Sequence, residues 1–545
     1  MRKTVLISII FLLAAILRFY NLEKVPPSLY WDEASLGYNA YSILKTGKDE
    51  HGVFLPITNF AAYGDYKPPL YIYLTVPSIA LFGLSEFAIR FPSALFGLLT
   101  VAITYLLARK IFEDERALKF GKLEADIPTI AAFLLAISPW HLQFSRGAFE
   151  ANVGLFFSTL GIYLFFKFAK DNQIWILPSL MSFLAGMYTF TGQRLFVPLI
   201  LILLFVQFRK NVLNSLKIVI TSLVIFGLIF YPLFIFATQT LEGRLRFQEV
   251  TIFNNLDPIN DSIRLRSEDH FVWWANIIHN RRFHRAGEYI SHYFDAFNPR
   301  FLFTKGDVNP RLSIQDFGHL YYFEIFTLAL GTYFLLARKQ KFAIFLLGWL
   351  LVSPMGPATA RETPHALRMI HILPTFQLIS AYGIVTFLTS TKHKKLFSVI
   401  LGLAVFICFS FYIFNYYFHY GQNYSRDWQY GYKQAVETIK PLYNQADTII
   451  VDKSLGRPYI YFLIYLKVDP ANFQKSGIVV KDKFYFLDVL GFDKLKFTDV
   501  VDFSKQSGKV LFVTTSKPPE TVEIVNQIND LNGNPTFFVS KKGFQ

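Results

Sequence analysis

Long apolar runs constrain this chain more than any other feature of its sequence. A run of about 18 or more apolar residues is long enough to cross the roughly 30 Å hydrocarbon layer of a bilayer as a helix. About eleven runs approach or reach that length, so we predict a polytopic α-helical membrane protein. The predicted spans lie near residues 4–20, 92–108, 127–144, 151–167, 174–190, 195–208, 216–237, 320–337, 342–358, 366–389 and 396–418.

Basic residues between the runs predict how the chain is oriented. Their clusters follow the even-numbered spans and fall on the same side as Arg2 and Lys3. Lys and Arg near span ends are retained in the cytoplasm. We therefore expect a cytoplasmic N-terminus in the inner cell membrane and, because the span count is odd, an extracytoplasmic C-terminal region. The same clusters account for the net charge of +15, so nucleic acid is not an expected partner.

Hydropathy falls beyond residue 420, which divides the chain into two expected domains. Residues 1–420 would form the transmembrane domain, whereas residues 421–545 alternate short strand-like and helical runs. Such alternation is typical of a small α/β domain. The strand-like runs lie at 448–451, 484–487, 510–513 and 536–539, and the helical runs at 432–439 and 520–528.

Two adjacent acids, Asp32 and Glu33, follow the first span in a long outside connection at 21–91. Carboxylates near a membrane surface are costly to desolvate unless they have partners or a function. One of them could act as a general base or a metal ligand. Because adjacent side chains point in different directions, the other would be structural. The alternative is that both acids only favour the first turn of a helix.

Lys67 precedes two prolines and an apolar stretch at 70–84, which we interpret as a helix lying in the membrane interface. A residue before proline is held extended, and Pro68 suits the first position of that helix. The lysine would then stand at a helix N-terminus, where free N–H groups also attract an anion. The pattern indicates a phosphate site; the alternative is that Lys67 only reaches toward the lipid headgroups.

Arg146 and Glu150 lie at the predicted outer end of the third span and the start of the fourth. Four residues apart, they would share one face of a helix. Residues at this spacing commonly form a simple ion pair. Their location at an outer span end also allows a role in a pocket.

A basic cluster at 361–368 lies on the outside, against the usual charge distribution, and indicates a bound anion. Thr363 can cap the tenth span and Pro364 can begin it, which would place two of the cluster's residues on one helical face. Arg194 lies at another outer span end. The candidate ligands of a donor phosphate are Lys67, Arg146, Arg194, Arg361, His365 and Arg368.

Several of these motifs resemble the membrane glycosyltransferases of the GT-C superfamily. The types they resemble most are glycosyltransferase family 39, which is protein O-mannosyltransferase-like, and the aminoarabinose-to-lipid-A transferases. The similarity covers residues 1–390 and is most specific in the first 200. Glu150 departs from the Asp that often ends the second outside-loop motif of these enzymes. The matching segments are 31–33 (WDE), 67–70 (KPPL), 90–101, 144–150, 301–307 and 365–368.

The resemblance implies an inverting glycosyltransferase. It would pass a hexosyl or pentosyl group from a polyprenyl-phosphate donor to a glycan, lipid or protein acceptor. Asp32 would activate the acceptor as a base, with Glu33 and Glu150 as further catalytic candidates, and Lys67 would bind the lipid phosphate. Asp32 and Glu150 could instead hold a divalent metal, Mg or Mn. The chemistry agrees, because a leaving phosphate needs a cation and an acceptor hydroxyl needs a base.

Two other functions stay open. A flippase or transporter for lipid-linked sugars would place charges midway through its spans and show two similar halves, whereas here the ionisable residues gather at the predicted outer face. An oligosaccharide polymerase or ligase would move a whole glycan rather than one monosaccharide.

Overall fold

The computed structural model describes residues 3–63, 65–115, 117–120, 123–254, 257–481 and 486–544. Helices predominate up to residue 440, and most of the strands follow it. The α-helices are α1 (Lys3–Phe19), α2 (Trp31–Thr46), α3 (Pro69–Phe82), α4 (Glu86–Ile111), α5 (Ile127–Ile137), α6 (Pro139–Arg146), α7 (Glu150–Lys170), α8 (Ile176–Thr189), α9 (Gln193–Gln207), α10 (Arg209–Asn214), α11 (Leu216–Gln239), α12 (Leu241–Val250), α13 (Asp257–Glu268), α14 (Ala275–Ile278), α15 (Arg281–Asp295), α16 (Glu324–Ala337), α17 (Ala343–Val352), α18 (Ala366–Met369), α19 (Thr375–Ser390), α20 (Lys394–Phe414), α21 (Gly421–Asn423), α22 (Tyr432–Ile439), α23 (Pro458–Tyr465) and α24 (Pro470–Ser476). The β-strands are β1 (Phe60–Ala62), β2 (Asp65–Lys67), β3 (Leu118–Phe120), β4 (Leu123–Ala125), β5 (Thr448–Asp452), β6 (Ile478–Lys481), β7 (Leu487–Phe492), β8 (Leu495–Thr498), β9 (Val510–Thr514), β10 (Glu523–Asn529) and β11 (Pro535–Lys542).

Each predicted span overlaps at least one of these helices. Within the described residues, four helices are long and apolar enough to cross a membrane, namely α4, α7, α11 and the helical stretch 394–423. Two bent pairs, α5 with α6 and residues 366–372 with α19, raise the number to six if each pair is one span. The protein is thus mostly helical with four to six candidate spans, and the count of eleven stays a prediction.

One compact unit contains most of the apolar helices. Within it, α16 and α19 pack closely because small residues lie where the two backbones meet. A Cβ atom on Gly331 would come within 2.1 Å of the Ile379 carbonyl oxygen, and one on Gly383 within 2.5 Å of the Thr327 carbonyl oxygen. Glycine permits this approach between apolar helices. The unit comprises Met1–Leu17, Phe96–Phe144 and Glu150–Tyr412.

A second compact unit holds a mixed sheet built by the C-terminal part of the chain. Its described strands follow the order β10-β11-β9-β5-β8-β7-β6, with β5 parallel to both β8 and β9 and the other pairs antiparallel. All five residues of β9 are buried, as expected for a strand covered on both faces. The unit comprises Arg18–Leu95, Ser145–Phe149 and Ile413–Gln545, so it does not follow the single boundary predicted at residue 420.

The C-terminal secondary structure differs from the prediction in one element. The predicted helix at 520–528 is wrong, because the segment forms β10, which pairs antiparallel with β11. Ile524, Val525 and Ile528 in β10 are β-branched and suit an edge strand better than a helix. Half of the strand predicted at 484–487 falls outside the described residues, and β7 begins at its last position.

The C-terminal part of the second unit packs against α2. The Tyr461 hydroxyl donates to the Leu29 carbonyl oxygen at 3.1 Å, and the Tyr38 hydroxyl donates to the Val468 carbonyl oxygen at 3.1 Å. The Trp31 N–H donates to Gln429 Oε1 at 3.0 Å. These bonds fix the start of α2, which carries the two adjacent acids.

Candidate active site

Asp32 and Lys67 meet at the start of α2. Asp32 lies in the first turn of the helix, where a carboxylate is favoured by the free N–H groups. Lys67 ends β2, so it is extended before proline as predicted. Helix α3 begins at Pro69, one residue later than expected. Lys67 Nζ lies 3.0 Å from Asp32 Oδ1 and 3.0 Å from Asp65 Oδ2.

Asp65 is a member of this cluster that sequence reasoning missed. It is two residues from Lys67 on the same strand, and such residues share one face. That spacing is the signal that could have revealed it. The Asp32 side chain is 37% exposed, whereas that of Lys67 is 9% exposed. The cluster therefore holds a nearly buried ammonium between two carboxylates, and Asp32 is the member most open to an incoming molecule.

Glu33 has a different environment from its neighbour. Its carboxylate forms a two-pronged ion pair with Arg90, with Nε at 2.9 Å and Nη2 at 3.0 Å. It also accepts the N–H groups of Ala148 at 2.7 Å and Tyr30 at 3.0 Å. The side chain is only 3% exposed. Because both oxygens are engaged and buried, we assign Glu33 to the scaffold rather than to catalysis.

Arg90 was noted only as part of a resembling motif, yet it is central to this scaffold. Its guanidinium is fully buried and also donates to the carbonyl oxygens of Leu22, Pro26 and Ser28. Burial of an arginine is costly unless it is paired and hydrogen-bonded. Glu33 and these carbonyls supply the pairing and the hydrogen bonds.

Arg146 also serves the scaffold in this structure, although we predicted it as a phosphate ligand. It is buried, and its Nη2 donates to the carbonyl oxygens of Tyr20 at 2.8 Å and Val25 at 2.9 Å. Its guanidinium also faces the rings of Tyr416 and Tyr417. A guanidinium held in this way fixes the turn at 20–25.

The predicted shared helical face of Arg146 and Glu150 is wrong. Helix α6 ends at Arg146, and α7 begins at Glu150. A turn with Gly147 separates the two helices. Glu150 is half-buried at the start of α7, where its charge complements the helix dipole.

The basic cluster at 361–368 lies in the other unit, and its local structure differs from the prediction. Thr363 does not cap a helix, because its hydroxyl donates to Asp295 Oδ2 at 2.8 Å. Helix α18 begins at Ala366, whose N–H donates to buried Asp307 Oδ2 at 2.7 Å. Asp307 therefore fixes the start of α18, although its sequence motif gave no indication of that role.

The charged groups of this cluster are engaged to different degrees. Arg368 Nη1 donates to the Glu362 carbonyl oxygen at 3.1 Å. Arg361 is exposed, with its Nε donating to the Thr251 carbonyl oxygen at 3.1 Å. Burial, reinforced by the Arg368 charge, lowers the pKa of His365 to about 3. His365 is therefore neutral near pH 7, so it could hydrogen-bond a phosphate without supplying a charge.

Arg194 is half-buried in the first turn of α9. Its phosphate-binding role, like those of Arg361 and Arg368, stays a prediction. Among the described residues, no three His, Cys, Asp or Glu side chains come together as a set of metal ligands. The place between Asp32 and Asp65 is taken by the Lys67 ammonium. The residues therefore do not form a ready site for Mg or Mn, and we derive no step through a metal.

Over almost its whole length the chain resembles ArnT in fold. The apo structure of ArnT from Cupriavidus metallidurans matches with a TM-score of 0.53 and 13% identity. The structure bound to undecaprenyl phosphate matches with a TM-score of 0.52 and 12% identity. Both matches cover 99% of this chain and 98% of ArnT. At this identity the likeness establishes the fold.

A family match narrows the class. Residues 66–236 match the family described as dolichyl-phosphate-mannose-protein mannosyltransferase. The match covers less than half of the chain.

Curated relatives match only in part. An uncharacterised protein of Aquifex aeolicus is 27% identical over 166 residues, which are 30% of this chain and 30% of that protein. The "Putative mannosyltransferase YkcB" of Bacillus subtilis is 26% identical over 217 residues, which are 39% of this chain and 28% of that protein. The match thus spans less than a third of the length of either relative.

Proposed function

We propose that this protein transfers one sugar from a polyprenyl-phosphate carrier to an acceptor at the outer face of the membrane, with inversion at the anomeric carbon. The observation that carries the proposal is the 3.0 Å contact between Lys67 Nζ and Asp32 Oδ1, with Asp32 open to an incoming molecule. A cation for the leaving phosphate and a carboxylate for the entering hydroxyl are thereby available in one place.

In the proposed reaction, the acceptor hydroxyl attacks the anomeric carbon from the side opposite the phosphate. The new glycosidic bond forms as the bond from that carbon to the phosphate oxygen breaks. Asp32 accepts the hydroxyl proton, and the bonding electrons leave with the lipid phosphate, whose charge Lys67 stabilises. Asp65 keeps Lys67 paired once the phosphate has displaced Asp32.

The comparisons support the donor class. ArnT, which shares the fold, has a structure bound to undecaprenyl phosphate. The matched family is described by a dolichyl-phosphate-mannose donor and a protein acceptor. For this chain we propose a lipid-linked hexosyl or pentosyl donor and a glycan, lipid or protein acceptor.

The donor is tested by incubating the purified protein with a panel of labelled polyprenyl-phosphate sugars and a cell-envelope extract. We expect one sugar to leave its lipid and to appear in product with the opposite anomeric configuration. Transfer of a whole glycan would instead indicate a polymerase or ligase. Movement of the label across the bilayer without cleavage would indicate a flippase.

We also propose eleven spans in the inner membrane, with the N-terminus in the cytoplasm. A helix in each predicted span supports this topology. Cys408 is the only cysteine, so a Cys408→Ser background allows single-cysteine labelling. In intact cells, a membrane-impermeant thiol reagent should label exposed Lys505→Cys and spare exposed Lys394→Cys. Equal labelling of both positions would contradict the topology.

A further inference from the structure

Helix α15 turns its apolar side outward and its charged side inward. On opposite faces at about 100° per residue, one set of side chains is apolar and exposed, and the other is polar and partly buried. Each of the polar side chains has a nitrogen or oxygen atom shielded from solvent. The exposed residues are Phe283, Ile290 and Phe294, and the inward-facing ones are His284, Arg285, Glu288 and His292.

This polarity is the reverse of that of a helix on a water-soluble surface, which buries its apolar stripe. Phe294, for example, is 63% exposed. Exposed apolar patches of this kind mark contact with a membrane or another macromolecule. The medium around the outer side of α15 is therefore expected to be apolar.

Two tyrosines fix where α15 lies. The Tyr293 hydroxyl donates to the Leu351 carbonyl oxygen at 2.7 Å, and the Tyr289 hydroxyl donates to the Met355 carbonyl oxygen at 3.1 Å. Leu351 belongs to the last turn of α17, inside the predicted span 342–358. The side chains of Leu351 and Met355 are themselves exposed. The apolar side of α15 thus lies beside the apolar surface of a span, at the span's predicted outer end.

The segment before α15 has the same character. Trp273 is 76% exposed, and Trp274 lies next to it in an apolar stretch at 271–278. Tryptophan is enriched where hydrocarbon meets headgroups. Arg281 and Arg282, both exposed at the start of α15, would complement anionic headgroups.

We infer that residues 271–278 and the apolar side of α15 lie embedded in the outer leaflet of the bilayer. We call these residues the interface surface. Its occupant is lipid, because its apolar residues adjoin the exposed side of α17 and its basic residues match anionic headgroups. The inference rests on the proposed topology and not on the sugar-transfer reaction, so the two can fail separately.

Spin labels can test the interface surface in a Cys408→Ala background. Single labels at Ile290→Cys and Phe294→Cys are reconstituted into vesicles of phosphatidylethanolamine and phosphatidylglycerol. Oxygen concentrates in lipid, whereas a nickel chelate stays in water. Val500→Cys is the matched control, since Val500 is apolar and 79% exposed but belongs to the C-terminal sheet region.

We expect the ratio of oxygen to nickel collisions at positions 290 and 294 to exceed that at position 500 several-fold. Nickel accessibility equal to the control would place the surface in water and overturn the inference. Exclusion of both reagents would mean that protein, such as a second copy of this chain, covers the surface, and would also overturn it.

A second measurement avoids cysteine substitution on α15. Brominated phospholipids quench tryptophan that contacts acyl chains. The quenched fraction of the fluorescence should fall in Trp273→Phe relative to the unsubstituted protein. An unchanged quenched fraction, in a variant that unfolds at the same temperature, would contradict lipid contact at this position.

Discussion

Asp32 and Glu33 are neighbours in the first turn of α2, yet their surroundings are opposite. Glu33 is buried, paired with Arg90 and saturated by backbone N–H groups. Asp32 is partly exposed and shares Lys67 with Asp65. The comparison shows that residue type and sequence position do not separate a buried, fully paired carboxylate from an accessible one. Burial and the number of fixed donors separate them.

The largest expected effect is on turnover in Asp32→Asn. Asparagine keeps the shape of the side chain and caps about as well as aspartate, but it cannot accept a proton near neutral pH. Loss of a general base typically lowers a rate by about 10²–10⁴-fold. The measurement is transfer of labelled sugar from the lipid donor, together with donor binding.

Asp65→Asn is the matched control, because it removes the other carboxylate beside Lys67. If Asp32 acts as a base, Asp65→Asn should lose much less activity. Equal losses would mean that both acids only hold Lys67. An active Asp32→Asn enzyme would show that Asp32 is not the base and would leave it only its helix-start role and its ion pair with Lys67.

Glu33→Gln should act on stability instead. Removing one partner of a buried ion pair leaves the other charge uncompensated, which typically costs about 3–5 kcal/mol. The unfolding temperature in detergent should therefore fall markedly for Glu33→Gln. It should change little for Asp32→Asn, because partly exposed ion pairs contribute about 0–1 kcal/mol. A Glu33→Gln protein that is as stable as the unsubstituted one but inactive would reverse our assignment of the two acids.

Lys67→Ala should lower turnover by about 10²-fold, the scale for losing one group that stabilises transition-state charge. Lys433→Ala is the control, since Lys433 pairs with Glu86 at 2.8 Å in the same unit but outside the cluster. Transfer assays on both variants should separate loss of the phosphate site from general loss of an ion pair. Normal turnover in a folded Lys67→Ala variant would show that Lys67 does not stabilise the leaving phosphate.

Glu50 is a third carboxylate, and its contribution to stability should depend on pH. Burial raises the pKa of Glu50 to about 8, and its main partner is the neutral amide of Asn39 at 3.0 Å. In the unfolded chain Glu50 releases its proton at lower pH. The stabilisation that comes from protonated Glu50 in the folded chain is therefore lost as pH rises toward 8. Between pH 6.5 and 8 we expect a fall in unfolding free energy on the order of 1–2 kcal/mol.

Glu50→Gln should remove most of that fall. The neighbouring His51, whose pKa burial lowers to about 4, would weaken the fold only as pH falls below its ordinary value of 6.5. The measurement is a set of unfolding curves at several pH values for the unsubstituted protein and for Glu50→Gln. A parallel decline of the unfolding free energy in both proteins would show that a group other than Glu50 titrates.

Sequence alone predicted the membrane class, the helices within the apolar runs and the extended geometry of Lys67, because these depend on local composition and on proline. The sequence also indicated that only one of the two adjacent acids, Asp32 and Glu33, would face the site. It did not show which of them is buried. The partner of Glu33 is Arg90, 57 positions away, and no local pattern encodes that contact.

The role of Arg146 was unpredictable for a related reason. Its acceptors are the carbonyl oxygens of Tyr20 and Val25, and every residue carries a carbonyl, so the sequence does not mark them. The strand at 523–529 was mistaken for a helix because its pairing with β11 is a tertiary contact. Asp65 differs from both, since its spacing of two residues from Lys67 on one strand is a local signal in the sequence.

The hydrogen bonds between α2 and the C-terminal region bear on how this protein can be recombined. Leu29, Trp31 and Tyr38 all bond to residues beyond 420. A chimera that took its C-terminal region from a relative without Tyr461 and Gln429 would lose the two side chains that bond Leu29 and Trp31, beside Asp32. The first outside connection and the C-terminal region are therefore expected to be inherited, exchanged and engineered as one module, despite being more than 300 residues apart along the chain.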